Sequence, residues 1–424
     1  MRRRDFLRNS VAAAAAGVSF PYFIPSGVLA APGRKGPNDK FAVGFIGTGG
    51  RGRHLMAGEN LADHAVIMAA TDCYLRRVED AAKAVPGGER WNKYQDYRKM
   101  LEKEKLDAVF VPTTTHARAL ICLHAMQAGL DVYAEKPLTL TIEEGQVLVK
   151  AARKLNRILQ VGTQQRSQPS NVYASKLVRE GAIGKVDTVI ACNFEPPTRW
   201  TDQPGQPIPE GLDWDQWCNQ TALRPYHPDL YGKWGIWWDY DGGGQSWGVS
   251  GWGTHALDQV QCALGTDYTG PVEMWTEGSG SQAKVTMKYE SGTLLKLEGP
   301  KRDLADLGAI FMGDQGKIEI LRGSFLTDRP ELLKDQPATM PANVPGEVKW
   351  HFDNFFECLR TRKRPNADVE IAHRSNSVCH LVNICRDLGR RLKWDPKAEK
   401  FVGDDEANKL LSRPRRKGYE YPKI

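Results

Sequence analysis

One short segment restricts what this chain can fold into more than any other. The apolar run Phe41-Ala42-Val43-Gly44-Phe45-Ile46 leads directly into Gly47-Thr48-Gly49-Gly50-Arg51-Gly52. An apolar run of that length, closed by glycine, reads as a buried strand. The residues after it have G-x-G-x-x-G spacing. Gly47 permits the tight turn, Gly49 lets the backbone approach a pyrophosphate, and Gly52 lets the following helix pack close to the strand. A helix N-terminus there faces anionic phosphates. The pattern predicts a strand–turn–helix unit that contacts a dinucleotide through Gly47, Thr48, Gly49, Gly50, Arg51 and Gly52.

The residues that follow continue the theme. Ala65–Thr71 reads as a second strand and ends at Asp72, twenty residues beyond Gly52. A carboxylate there binds the ribose hydroxyls of NAD and repels a 2′-phosphate. Arg76 and Arg77 lie close by and leave NADP open. Capping of the next helix is the competing role for Asp72. Further strands are expected at 108–111, 131–134 and 158–162, with helices at 117–128 and 141–155, the latter opened by a Thr141-x-x-Glu144 capping box. This alternation predicts an α/β fold with a parallel, doubly wound sheet over residues 40–165. Ligands bind beyond the carboxyl ends of such strands. Thr113, His116, Glu135 and Lys136 fall there, and Gln164 follows the last strand.

Beyond Arg166 the alternation stops. Strands are expected at 186–191, at 283–289 and 294–297 about the turn Glu290-Ser291-Gly292, and at 317–320, which suggests antiparallel pairing with one solvated face. A long helix is expected over 367–391. This gives a second domain over 166–395 and a tail over 396–424, where the basic cluster Arg413–Lys417 reads as solvated. Eight of the twelve tryptophans lie between Trp200 and Trp252, in a stretch also rich in Gly, Pro, Asp and Tyr. Long irregular segments are usually functional. Aromatic faces suit sugar C–H groups, so Trp237 and Tyr240 are candidate substrate contacts; a small aromatic core under a long loop is the competing reading.

Residues 1–30 read as a leader. Arg3-Arg4-Asp5-Phe6-Leu7-Arg8 fits the twin-arginine export pattern, an alanine-rich stretch runs from Val11 to Val18, and Val28-Leu29-Ala30 offers a cleavage site. Residues 31–39 read as a linker. Without residues 1–30, 54 Lys and Arg face 50 Asp and Glu. That near-balance argues against a nucleic-acid partner. No segment is long and apolar enough for stable membrane insertion. The eight cysteines form no C-x-x-C and no zinc-spaced cluster, so no metal site is expected. Scattered free thiols fit folding in a reducing compartment before export to the periplasm.

Glu135-Lys136-Pro137 after a strand, behind G-x-G-x-x-G and Asp72, resembles the Gfo/Idh/MocA oxidoreductase family. The same resemblance extends to Val161–Arg166, to Gly242-Gly243-Gly244 with Gly253-Thr254-His255-Ala256-Leu257-Asp258, and to Arg364–Asp368. It implies a Rossmann NAD(P)-binding domain and a C-terminal α/β domain with an open, mostly antiparallel sheet that assembles into homo-oligomers. It further implies hydride transfer on a small carbohydrate, with Lys136 and His255 as catalytic residues and Arg166 and His255 at the substrate; Asp258 would orient His255 or cap a helix. Two positions depart from the family pattern. Gly251 stands where many relatives have an acid four residues before the histidine, and Arg118 stands where histidine is frequent. Tyr240 and Asp241 are candidates to replace the missing group. Three readings stay open: a sugar or polyol oxidoreductase, an NAD-dependent glycoside hydrolase that oxidises its sugar transiently, and a binding protein without turnover. Export favours a redox-neutral cycle on a tightly held cofactor, since little free NAD exists outside the cytoplasm.

Overall fold

The two faces of the expected parallel sheet are both covered, which is why its strands carry runs of Val, Ala and Phe rather than alternating polarity. A computed structural model describes residues 40–58, 60–242, 248–298, 308–337 and 348–424. The expected leader and linker, and Gly243, Gly244 and Trp247, lie outside these residues. The first sheet has strands β1 (Phe41–Ile46), β2 (Ala65–Thr71), β3 (Asn92–Tyr94), β4 (Ala108–Val111), β5 (Asp131–Ala134) and β6 (Leu159–Val161). They are all parallel, in the order β3-β2-β1-β4-β5-β6. Winding reverses between β1 and β4, so a crevice opens beyond their carboxyl ends. The helix Gly50–Met56 starts at the glycine-rich turn, and Thr115–Gln127 starts just beyond β4. Thr141 caps the helix Ile142–Lys154, its hydroxyl accepting from Glu144 N at 3.3 Å.

The second sheet has strands β7 (Val186–Ala191), β8 (Glu273–Glu277), β9 (Lys284–Lys288), β10 (Leu294–Leu297), β11 (Ala309–Gly313), β12 (Gly316–Ile320), β13 (Phe325–Thr327), β14 (Leu392–Asp395) and β15 (Lys400–Phe401). Their order is β13-β12-β11-β7-β10-β9-β8-β14-β15. Only β7 and β10 run parallel; the other pairs are antiparallel. Val189, Leu295 and Phe311 on this sheet share a core with Ala174, Leu257, Val260 and Val382 of the helices Pro169–Arg179, Trp252–Leu264 and Val369–Leu388. Among the described residues no helix is long and apolar enough to cross a membrane.

The chain does not divide cleanly at residue 165. The helix Lys349–Thr361 returns to the first sheet and buries Phe352, Phe355 and Phe356 against Phe45, Phe110 and Tyr133. Phe110 meets Phe352 and Phe355 edge-on, with centroids 5.6 and 5.8 Å apart. Residues 396–424 are packed too. Arg415 pairs with buried Glu144 at 3.1 Å, and Tyr421 and Ile424 lie on the first-sheet core. The basic cluster at 413–417 is therefore not free in solvent as its charge suggests: Arg413 stacks on Trp238, and Arg416 donates to Asn219 O.

The tight turn tolerates no side chain at Gly52. A Cβ there would sit 2.3 Å from the carbonyl oxygen of Gly47, a backbone atom that cannot swing aside. Gly52→Ala is expected to cost about 2 kcal/mol of stability, as an overpacked contact does, and to weaken nucleotide binding. Thermal melting and a dinucleotide titration check this; an unchanged melting temperature contradicts it.

Candidate active site

A cleft of about 250 Å³ lies beyond β1 and β4. Gly47, Gly49, Gly50, Arg51, Asp72, Thr113, Ala117 and Ile121 line one side; Gln216, Trp217, Asn219 and Trp234 line the other. Gly47 has φ +103°, which favours glycine. A Cβ on Gly50 would meet nothing within 4 Å, and one on Gly49 only Arg77 at 3.8 Å, so a ligand can reach this backbone closely. Asp72 ties the turn to β2. One oxygen accepts from Thr48 N at 2.9 Å and Thr48 Oγ1 at 3.2 Å, the other from Tyr74 N at 3.0 Å. It does not cap the helix Leu75–Ala84, whose N-cap is Tyr74. Open glycine backbone, a helix N-terminus and a carboxylate at the ribose position fit the adenosine and pyrophosphate of NAD.

The reactive end gathers at the carboxyl end of β5. Glu135 is 3% exposed. It accepts from Arg51 Nε at 2.7 Å, from Gln164 Nε2 at 3.3 Å and from the backbone N of Lys136 at 3.1 Å. Burial pushes its pKa up, but Arg51 and Lys136 outweigh burial and hold it below the ordinary carboxylate range. The Lys136 amine donates to Gly251 O at 3.0 Å. Burial lowers its pKa to about 8, against the charges of Glu135 and Asp241. His255, on the helix Trp252–Leu264, is held neutral by burial and then by Lys136, Arg322 and Arg51. Its Nδ1 is buried without a hydrogen-bond partner among the described residues.

Asp241, the candidate for the acid missing at Gly251, lies where its charge reaches Lys136, although burial pushes its own pKa up. It is 2% exposed, accepts from Thr115 Oγ1 at 2.5 Å and from Ser250 Oγ at 2.6 Å, and acts on Lys136. Arg118, the second departure, fastens the strand ends by donating to Thr113 O and Pro137 O. Arg322 was not foreseen. It sits between β12 and β13, and its charge reaches His255, Arg51 and Glu135. A turn residue far along the chain carries no local signal of that placement.

Four expected contacts lie elsewhere. His116 is buried, does not line the cleft, and meets Trp217 O at 2.7 Å. Arg166 spends its guanidinium on Asp258 at 2.8 Å and Asp267 at 2.8 Å. Asp258 therefore holds Arg166 and Ser375 rather than His255. Trp237 packs edge-on against Trp200 and donates to Asp229 O at 3.0 Å. Tyr240 is fully buried against Trp217 and His116. Arg166, His116 and Trp237 each give a polar group to a tertiary partner, and the Tyr240 ring is taken up in packing.

Fold and site together define a Rossmann domain of the nicotinamide-dinucleotide-binding type joined to a mixed-sheet domain. Residues 41–163 match the family model "Oxidoreductase family, NAD-binding Rossmann fold", and residues 172–421 match "Oxidoreductase family, C-terminal alpha/beta domain". The chain belongs to the Gfo/Idh/MocA oxidoreductase family. It is 31% identical over 121 residues to scyllo-inositol 2-dehydrogenase (NAD(+)) of Bacillus subtilis (strain 168), covering 28% of this chain and 34% of that protein. It is 34% identical over 146 residues to D-apiose dehydrogenase of Paraburkholderia graminis, covering 34% of this chain and 38% of that one. The matches thus span about a third of these curated relatives. The WlbA dehydrogenase from Bordetella pertussis, solved with NADH and UDP-GlcNAcA, superposes with a TM-score of 0.59 at 18% identity, over 84% of this chain and 99% of that one.

The environment of Lys136 fixes the sign of a pH dependence. The neutral amine is the form that accepts a proton, so kcat/KM is expected to rise with pH through about 8. Asp241→Asn removes a charge that raises the Lys136 pKa, so the rise is expected to move to lower pH. A profile unmoved by that substitution contradicts the coupling.

Proposed function

We propose that this protein oxidises a hydroxyl of a sugar or polyol, with Lys136 as the general base. The carrying observation is a partly buried lysine amine, fixed by Gly251 O at the carboxyl end of β5, with a lowered pKa and a charge that reaches His255. Bound NAD supplies the acceptor for the hydride that leaves the carbinol carbon. Lys136 takes the hydroxyl proton as the carbonyl forms. Neutral His255 hydrogen-bonds the same oxygen and orients it. Asp241 keeps the protonated lysine stable, since its carboxylate faces that charge. The relatives named for inositol and apiose dehydrogenation support a polyhydroxylated substrate.

We further propose that the enzyme is exported by the twin-arginine route and carries its cofactor as a resident group. Arg3-Arg4 with Phe6-Leu7 supports this, as does the walling of the cleft on both sides. Purified protein is expected to release NAD on denaturation and to oxidise one sugar while reducing another without added NAD. Lys136→Ala is expected to lower turnover by about a hundredfold or more while the nucleotide stays bound; an unchanged rate contradicts the role. Nitrophenol release from nitrophenyl glycosides would favour the glycosidase scheme instead. Binding of nucleotide without either reaction would favour a binding protein. For export, replacing Arg3 and Arg4 by lysine is expected to strand the protein in the cytoplasm on cell fractionation, and normal release would refute the route.

A further inference from the structure

The cofactor cleft has one wall that the parallel sheet does not supply. It comes from the tryptophan-rich segment, which reaches the cleft at Gln216, Trp217, Asn219 and Trp234. Several ties dock this wall on the nucleotide-binding half. Leu212 bridges to Tyr74, and Asp213 N donates to Cys73 O at 2.9 Å. Gln95 Nε2 donates to Gly211 O at 2.8 Å, and Gln216 Nε2 to Gln95 O at 3.2 Å. His116, held neutral by burial, donates to Trp217 O. Trp217 stacks on Trp214 with centroids 4.4 Å apart and is 4% exposed.

Asn219 is the unusual member of this wall. Its φ is +49°, a region that favours glycine. It is held there on both sides: its N donates to Asp215 O at 3.1 Å, and its carbonyl accepts from Arg416 Nε at 3.1 Å and Nη2 at 2.9 Å. The residue is 1% exposed. Its Oδ1 accepts from Gln220 N at 2.9 Å, which fixes the amide orientation, because a backbone N–H cannot donate to an amide nitrogen. The remaining Nδ2 is buried with no hydrogen-bond partner among the described residues. A buried donor without an acceptor and a non-glycine residue at positive φ both cost stability. Here both occur at one residue of a ligand cleft.

We infer that Trp217 and Asn219 form the subsite for the adenine ring, resting on the reading that NAD occupies this cleft. The ring nitrogens of adenine are acceptors, which is what Asn219 Nδ2 lacks. Trp217 gives the base an aromatic surface, and Ala117 and Ile121 give it an apolar one across the cleft. The base is thus recognised by a part of the chain outside the nucleotide-binding sheet.

The test uses the full-length protein loaded with NADH, read by energy transfer from tryptophan. Asn219→Gly removes the amide and suits the backbone angle. It is expected to melt at or above the wild-type temperature, yet to bind NADH about tenfold more weakly, the loss of one buried hydrogen bond. Bound NADH is expected to leave it faster by a similar factor. Trp217→Leu, as a second variant, is expected to weaken NADH too. Reduced nicotinamide mononucleotide, which lacks the adenosine half, is expected to bind wild type and Asn219→Gly alike. Wild type that fails to bind NADH overturns the NAD reading itself. Wild type that binds NADH, with both variants binding it equally well, overturns the adenine subsite alone. Loss of the mononucleotide along with NADH in Asn219→Gly also overturns it, since the effect would not be confined to the base.

Discussion

A single buried carboxylate, Glu135, joins the two ends of the site. One oxygen holds Arg51 at the start of the nucleotide-binding helix, and the other receives the backbone N–H of Lys136. The glycine-rich loop and the lysine proposed as the base are therefore set by the same group. Burying that charge is tolerable only because cations answer it, and stripping a buried carboxylate of its cation costs about 3 kcal/mol or more. Burial first, and then the positive charge of Lys136, Arg322 and Arg51, keeps His255 neutral.

The parts of the fold legible in the sequence are those whose signal is local. The run 41–46 followed by its glycines, and the runs at 65–71, 108–111 and 131–134, became strands at those residues because short parallel strands covered on most of both faces are predominantly apolar. β3 and β15 are too short and too polar to announce themselves. The helix Lys349–Thr361 did carry a pattern: Phe352, Phe355, Phe356 and Leu359 recur at helical spacing. What no spacing reveals is that this face belongs to a sheet more than two hundred residues earlier in the chain.

The same division runs through the site. Gly47, Gly49, Gly50, Arg51, Asp72 and Thr113 line the cleft because strand ends and turns place them there, and those are visible in the sequence. Arg166, His116 and Trp237 have suitable chemistry but lie beside partners that already use it, and the Tyr240 ring is buried in packing. The tryptophan density marked a segment that walls a cleft, with Trp217 and Trp234 in its lining and Trp214 stacked on Trp217. Asp241 and Arg322 reach the reaction centre only through folding, 105 and 186 residues beyond Lys136 in the chain.

The return of residues 349–361 to the first sheet has a consequence for synthesis. Until those residues have left the ribosome, the cluster around Phe45, Phe110 and Tyr133 lacks Phe352, Phe355 and Phe356, and Leu55, Val78 and Ala81 cover it only in part. A nascent chain of this protein cannot complete its cofactor domain first and add the rest afterwards, as a bead-like domain order would allow. Maturation is a late, whole-chain event. The cofactor meets a finished site only when almost all of the polypeptide has been made.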